Sequence, residues 1–312
     1  MKKLLLFFVL GVLLAFGFLY FKNTVRDIIF LQDQVKSEQT AQKRPIMRVG
    51  LIADSENDNE NLKKALRQAT GYGVNFVIGL GDWSNVGTED ELLAVKKIFD
   101  DSKIQYFLTP GDHDLWASRN RGEEALENFR KVFGQPSQVI DKQSFSTNKQ
   151  SFSANKQSFS TNKQSFSANK QSFSANKEGI RLVILDNSDI YKGISVNDWK
   201  MLEGALGKPA KLHFVFAHKT PFHPDSKHVM GEDSPEVARQ AQTFLDLLQA
   251  KKVDGFFSGD LHFFAKFKSP DASVKITTIG AIVADRNFQG SRFGVLTIFD
   301  DWTWEVEDVE IR

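Results

Sequence analysis

Between Met47 and Asp260 short apolar runs alternate with segments of helical period, and most of the runs stop at a carboxylate or an imidazole. MRVGLIAD, NFVIGLGD, KIQYFLTPGD, RLVILDN, KLHFVFAH and VDGFFSGD read as strands. Residues 59–70, 89–101, 121–133, 196–206 and 235–250 read as helices. Continuous apolar strands separated by amphipathic helices require a sheet covered on its faces, which is the α/β class. From Val274 to Ile311 the pattern changes to several strands with turns and no helix. The expected architecture is an α/β body with an added run of antiparallel strands.

The run ends carry the chemistry. They are Asp54 and Glu56 in LIADSE, Asp82 in GLGDW, Asp112 and His113 in TPGDHD, His218 in VFAHKTP, and Asp260 and His262 in FSGDLH. In open α/β sheets ligands gather at the carboxyl ends of strands. Alone, an Asp after a strand is a helix cap or a turn former, and a lone His is an ordinary hydrogen-bonding residue. Together, in this order, these groups read as metal-type ligands of oxygen and imidazole placed at one edge of a sheet. The chain has no cysteine, so thiolate metal sites, disulfides and cysteine nucleophiles are excluded. No GxSxG and no GxxxxGK occurs, which removes a serine-hydrolase elbow and a Walker loop. A net charge of +1 gives no global argument for nucleic acid.

The order DxE, GD, GDHD, H and GDxH over residues 47–264 resembles the signature of the calcineurin-like metallophosphoesterases, usually DxH, GD, GNH(D/E), H and GHxH. The resemblance implies two mixed β-sheets packed as a sandwich and flanked by helices. It implies a first ion on Asp54, Glu56, Asp82 and His262. Asp82 would bridge to a second ion on Asp112, His218 and Asp260, with His113 above the pair as a catalytic non-ligand. Hydrolysis of a phosphate ester by a metal-bridging hydroxide would follow, with His113 steadying charge or protonating the leaving oxygen.

Three positions depart from the usual signature: Glu56 for His, Asp112 for Asn and Asp260 for His. All three substitutes can bind metal, but the shell now holds five carboxylates, so two divalent ions leave one negative charge uncompensated. Lys219, Arg119 and Arg121 are the candidate cations to offset it. Oxygen-rich ligation favours Mn²⁺, Mg²⁺ or Ca²⁺ over Zn²⁺, with Fe also allowed. The substitutions also support a second reading, a weak or inactive domain that binds metal or ligand. Asp114 either orients the shell or caps the next turn. His213, His223 and His228 fall outside the signature and read as structural or surface residues, with His223 placed near enough to line a cleft. Trp83 reads as core, with a pocket wall as the alternative.

Two segments lie outside this pattern. Leu4–Phe21 is an unbroken apolar run of about 27 Å as a helix, the length of a membrane span. Residues 1–21 therefore read as an uncleaved membrane anchor, 22–45 as a juxtamembrane helix and linker, and 46–312 as the phosphoesterase-like domain. The balance of flanking lysines and arginines is nearly even, leaning to an extracytoplasmic domain. Residues 142–176 are five near-identical heptads on the pattern KQSFS(T/A)N. One large apolar residue per heptad excludes a coiled coil, and an odd period puts successive Phe on opposite faces of a strand. The repeat reads as an expanded solvated loop in a hairpin whose first strand lies in its last copy. A surface scaffold with the repeat as its working part is a further reading.

Overall fold

A computed structural model describes residues 43–143, 179–285 and 287–312. The proposed anchor and most of the heptad repeat lie outside the described residues. Among the described residues no helix is long and apolar enough to cross a membrane. Pro45–Arg312 is one compact unit.

Its strands form two mixed sheets. The first contains β1 (Pro45–Ile52), β2 (Phe76–Leu80), β3 (Tyr106–Thr109), β10 (Arg292–Phe299) and β11 (Trp304–Glu310), in the order β11-β10-β1-β2-β3. The second contains β4 (Gln138–Gln143), β5 (Gly179–Ile184), β6 (Leu212–Phe216), β7 (Gly255–Ser258), β8 (Ala265–Lys268) and β9 (Lys275–Thr278), in the order β4-β5-β6-β7-β9-β8. β1, β2 and β3 run parallel, as do β5, β6, β7 and β9; the added strands pair antiparallel at the edges.

Alternation within each run explains why the strands read as continuously apolar. Met47, Val49 and Leu51 of β1, with Phe76, Ile78 and Leu80 of β2, face Ile180, Leu182 and Ile184 of β5 and Leu212, Phe214 and Phe216 of β6. The intervening residues pack outward. Ile52 and Val77 meet α1 (Asn59–Gly71) and α2 (Glu89–Ser102), while Val183 and Val215 meet α5 (Val196–Leu206) and α6 (Pro235–Ala250). Two sheets with helices on both outer faces are the sandwich that the family resemblance implied. Burying each Leu, Ile or Phe of these layers contributes about 1.5–3 kcal/mol.

Three local expectations are corrected. The helix expected over 121–133 is broken: a 3₁₀ turn (His113–Leu115) leads into α3 (Trp116–Asn120), and α4 (Glu127–Phe133) starts afresh. Gly122 at φ +76° closes α3, and Asn128 is drawn inward to donate to the Gly87 carbonyl at 2.7 Å. The hairpin partner of β5 is β4, at the start of the repeat, because β4 and β6 occupy both edges of β5 and leave none for the last copy. β8, which precedes the expected strand region, pairs with β9.

Candidate metal centre

Each ligand-type residue follows the strand that aims it. Asp54 lies beyond β1, Asp82 beyond β2, Asp112 beyond β3, His218 beyond β6 and Asp260 beyond β7. The sheets thus bring five of the sequence-predicted residues to one rim. Five of the predicted site residues have unusual backbones: Asp54 (φ +53°), Glu56 (+39°), Asp82 (+55°), Asp260 (+67°) and His262 (+60°) all adopt the left-handed region. That conformation strains a residue with a Cβ and clusters at functional sites. A Cβ on Gly111 would stand 2.0 Å from Asp82 Oδ1, so only glycine lets the GDHD turn lie against that carboxylate.

His218 is the hub. Its Nδ1 donates to the Leu80 carbonyl at 2.7 Å, which turns Nε2 toward the acids. Nε2 lies 3.3 Å from Asp112 Oδ1, 3.5 Å from Asp82 Oδ2 and 3.6 Å from Asp260 Oδ1. Ligand atoms of Asp54, Asp82 and His218 lie within 4.8 Å of one another, as do those of Glu56, Asp82 and His113, and those of Asp112, His218 and Asp260. His262 Nε2 meets Glu56 Oε1 at 3.1 Å. His113 donates its backbone N–H to Asp82 Oδ1 at 3.1 Å, stacks on Trp116 with ring centres 4.0 Å apart, and places Nδ1 2.9 Å from the Asn85 carbonyl.

Asp114, left open between two roles, holds the shell together. Its buried carboxylate accepts the backbone N–H groups of Trp83, Ser84 and Gly111, tying the loop after β2 to the loop after β3. Trp83 is wholly buried and donates Nε1–H to the Thr109 carbonyl, so it is core.

The expected compensating cation is Lys219. Its buried Nζ lies 2.6 Å from Asp260 Oδ1 and 3.0 Å from Asp112 Oδ1. Arg119 instead pairs with Asp189 and lies over Tyr191, and Arg121 pairs with Glu123; neither is a cation of this centre. His228, read from the sequence as surface, reaches Asp260 Oδ1 with Nε2 at 3.3 Å while Nδ1 meets Glu232 at 2.5 Å. His223 accepts the N–H groups of Asp225 and Ser226 and packs edge-on against Phe263 and Phe267. His213 contacts the Lys208 carbonyl, away from the site.

Electrostatics divide the centre. Burial pushes the Asp54 carboxyl up to about 6 against the pull of His262 and His218, and it pushes Asp82 well above the usual carboxylate range. Burial acts on Asp112 and Asp260 too. There the contacts of His218 and Lys219 with Asp112, and of Lys219 and His228 with Asp260, outweigh it and hold both acids well below that range. Asp260 raises His228 to about 9 through their hydrogen bond. Among the described residues neither Asp54 nor Asp82 pairs with a lysine or arginine, and buried Asp260 Oδ2 has no hydrogen-bond partner. Buried carboxylate oxygens that no lysine or arginine answers, as on Asp54 and Asp82, fit a hard divalent ion.

The family model for calcineurin-like phosphoesterases matches residues 47–264. The chain belongs to this family. The family implies divalent ions in a binuclear site, and membership places the chain among phosphoesterase hydrolases. Comparison with curated proteins found no match. Among solved structures, the chain is similar to a dimetal phosphatase from Danio rerio (12% identity, TM-score 0.52, covering 86% of this chain and 100% of that one). It is also similar to GAP50, the anchor in the inner membrane complex of Plasmodium (13%, 0.53, 86% and 90%). A third is a purple acid phosphatase from yellow lupin seeds (13%, 0.51, 84% and 51%). At these identities the structural likenesses speak for the fold alone.

Proposed function

We propose that this chain hydrolyses a phosphate ester and depends on divalent metal for that activity. The observation that carries the reading is the convergence of Asp54, Asp82, Asp112, His218 and Asp260 at one rim of a calcineurin-like phosphoesterase fold. Asp54, Glu56, Asp82 and His262 would hold an ion, and Asp112, His218 and Asp260 place further donor atoms beside it. Such ions, when bound, activate water as a nucleophile and neutralise charge on the phosphoryl oxygens. The chain's own residues do the rest. Asp114 fixes the two loops that carry Asp82 and Asp112, and the backbone of His113 orients Asp82. With Nδ1 turned to the Asn85 carbonyl, His113 keeps Nε2 for exchanging a proton with a leaving oxygen.

The test strips the protein of metal and assays a chromogenic monoester and a diester while Mn²⁺, Mg²⁺, Ca²⁺, Zn²⁺ or Fe²⁺ is restored. Turnover returning with one of the ions supports the reading. Asp82→Ala should lower kcat on the order of 10²–10³-fold, the scale of removing one electrostatic partner from an active site. His113→Ala should lower kcat about 10²-fold with KM little changed. Tight metal binding with no turnover for any ion would favour a binding domain of the same fold, the reading motivated by Glu56, Asp112 and Asp260.

Residues 1–21 serve in this reading as a membrane anchor, with the domain outside the cytoplasm. Membrane fractionation and protease protection of the intact cell test that; a protected domain would reverse the orientation.

A further inference from the structure

We infer that Lys219 itself fills the second-ion position, so that the chain binds one divalent ion, on the side of Asp54, Glu56, Asp82 and His262. The inference rests on the metal-dependent reading above. Asp112, His218 and Asp260 offer three ligand atoms within 4.8 Å of one another, and the Lys219 ammonium bonds two of the three directly, Asp260 Oδ1 at 2.6 Å and Asp112 Oδ1 at 3.0 Å. Divalent ions take carboxylate oxygens at about 2.0–2.6 Å. An ion bound to the same two oxygens would have to displace the ammonium or stand against it. The lysine is poorly placed to leave. Its backbone N–H donates to Asn187 Oδ1 at 3.0 Å, its carbonyl accepts from Asn187 Nδ2 at 2.7 Å, and its side chain is buried.

The same contact explains two departures from the usual signature. Asp112 and Asp260 stand where that signature has Asn and His, and they are the two acids that Lys219 touches. Carboxylates bind metals as well, but two of them also suit an ammonium, which a neutral amide and an imidazole do not. His228, which also reaches Asp260 Oδ1 at 3.3 Å, is a further protein group on this side. Across the site, among the described residues, Asp54 has no lysine or arginine partner: its two oxygens accept the backbone N–H of Asp260, and His218 Nδ1 lies 3.9 Å from Oδ1.

The deciding measurement is a metal count. The full 312-residue protein in mild detergent is stripped with a chelator and dialysed against Mn²⁺, and bound manganese is counted by mass spectrometry and inspected by electron paramagnetic resonance. One Mn²⁺ per chain with an uncoupled six-line spectrum is expected. Two ions with an exchange-coupled spectrum would overturn the inference while leaving the metal-dependent function intact. No bound manganese would overturn both. Lys219→Met should bind a second ion and acquire the coupled spectrum; a folded variant that still holds one would also overturn the inference. If the variant does not fold, the count on the unmodified chain decides.

Discussion

Asp54 and Asp260 are joined by hydrogen bonds from the Asp260 backbone, and both are buried, yet their surroundings treat them oppositely. Asp260 shares Lys219 with Asp112 and is stabilised as an anion. Asp54 has only backbone donors and nearby imidazoles, and burial makes its negative charge costly. One rim therefore holds a half in which the protein supplies its own cation, although Asp260 Oδ2 still has no hydrogen-bond partner, and a half without a lysine or arginine among the described residues. A cluster of acids is not a metal site by its count of oxygens. What matters is which oxygens the protein has already answered with a positive charge of its own.

The comparison breaks most visibly at Lys219. In chelator, Lys219→Met should lower unfolding free energy by about 3–5 kcal/mol, the cost of leaving one side of a buried ion pair uncompensated. Denaturant titration reads the loss, and added Mn²⁺ should recover part of it. An unchanged midpoint would mean that the two acids do not need the lysine.

Asp54→Asn should act with the opposite sign. A folded-state value of about 6 against an ordinary 3.8 means that the charge becomes unfavourable to the fold as pH rises through that interval. Above about pH 6 the variant in chelator should be more stable than the parent by on the order of 3 kcal/mol. Below about pH 3 the difference should vanish, because both states of the parent are then largely protonated. Unfolding curves at about pH 3 and pH 7.5 test this, and destabilisation at the higher pH would erase the contrast between the halves.

The smallest effect is expected far from both. Joining Gln143 to Gly179 with Asn-Gly in place of residues 144–178 should leave stability within about 0.5 kcal/mol and metal binding unchanged. The two junction residues are already register partners, which a two-residue turn suits. A lost ion would show that the insertion reaches the rim.

Much of this was legible in the sequence because a strand buried on two faces leaves few places for an acid except its end. Asp54, Asp82, Asp112, His218 and Asp260 all announced themselves in that way. Lys219 was legible only as one of three candidate cations, since the sequence places it beside His218 without saying which way its side chain turns. The answer lay in Asn187, which clamps its backbone from another strand end. His228 was not legible: it comes from an irregular loop without periodicity, and only the folded path of residues 219–234 brings it to Asp260. The helix expected over 121–133 failed for a related reason, because Asn128 answers to the Gly87 carbonyl and Gly122 turns the chain before it.

The register of β4 with β5 places the junctions Gln143 and Gly179 at the end of the sheet from which β5 starts, one strand length of about 17 Å from the end that leads toward the ligands. The chain enters β1 at Pro45, likewise at that strand's beginning. A change in the number of copies would thus enter the described fold at the junction pair Gln143 and Gly179, at the opposite end of β5 from the ligand-bearing rim.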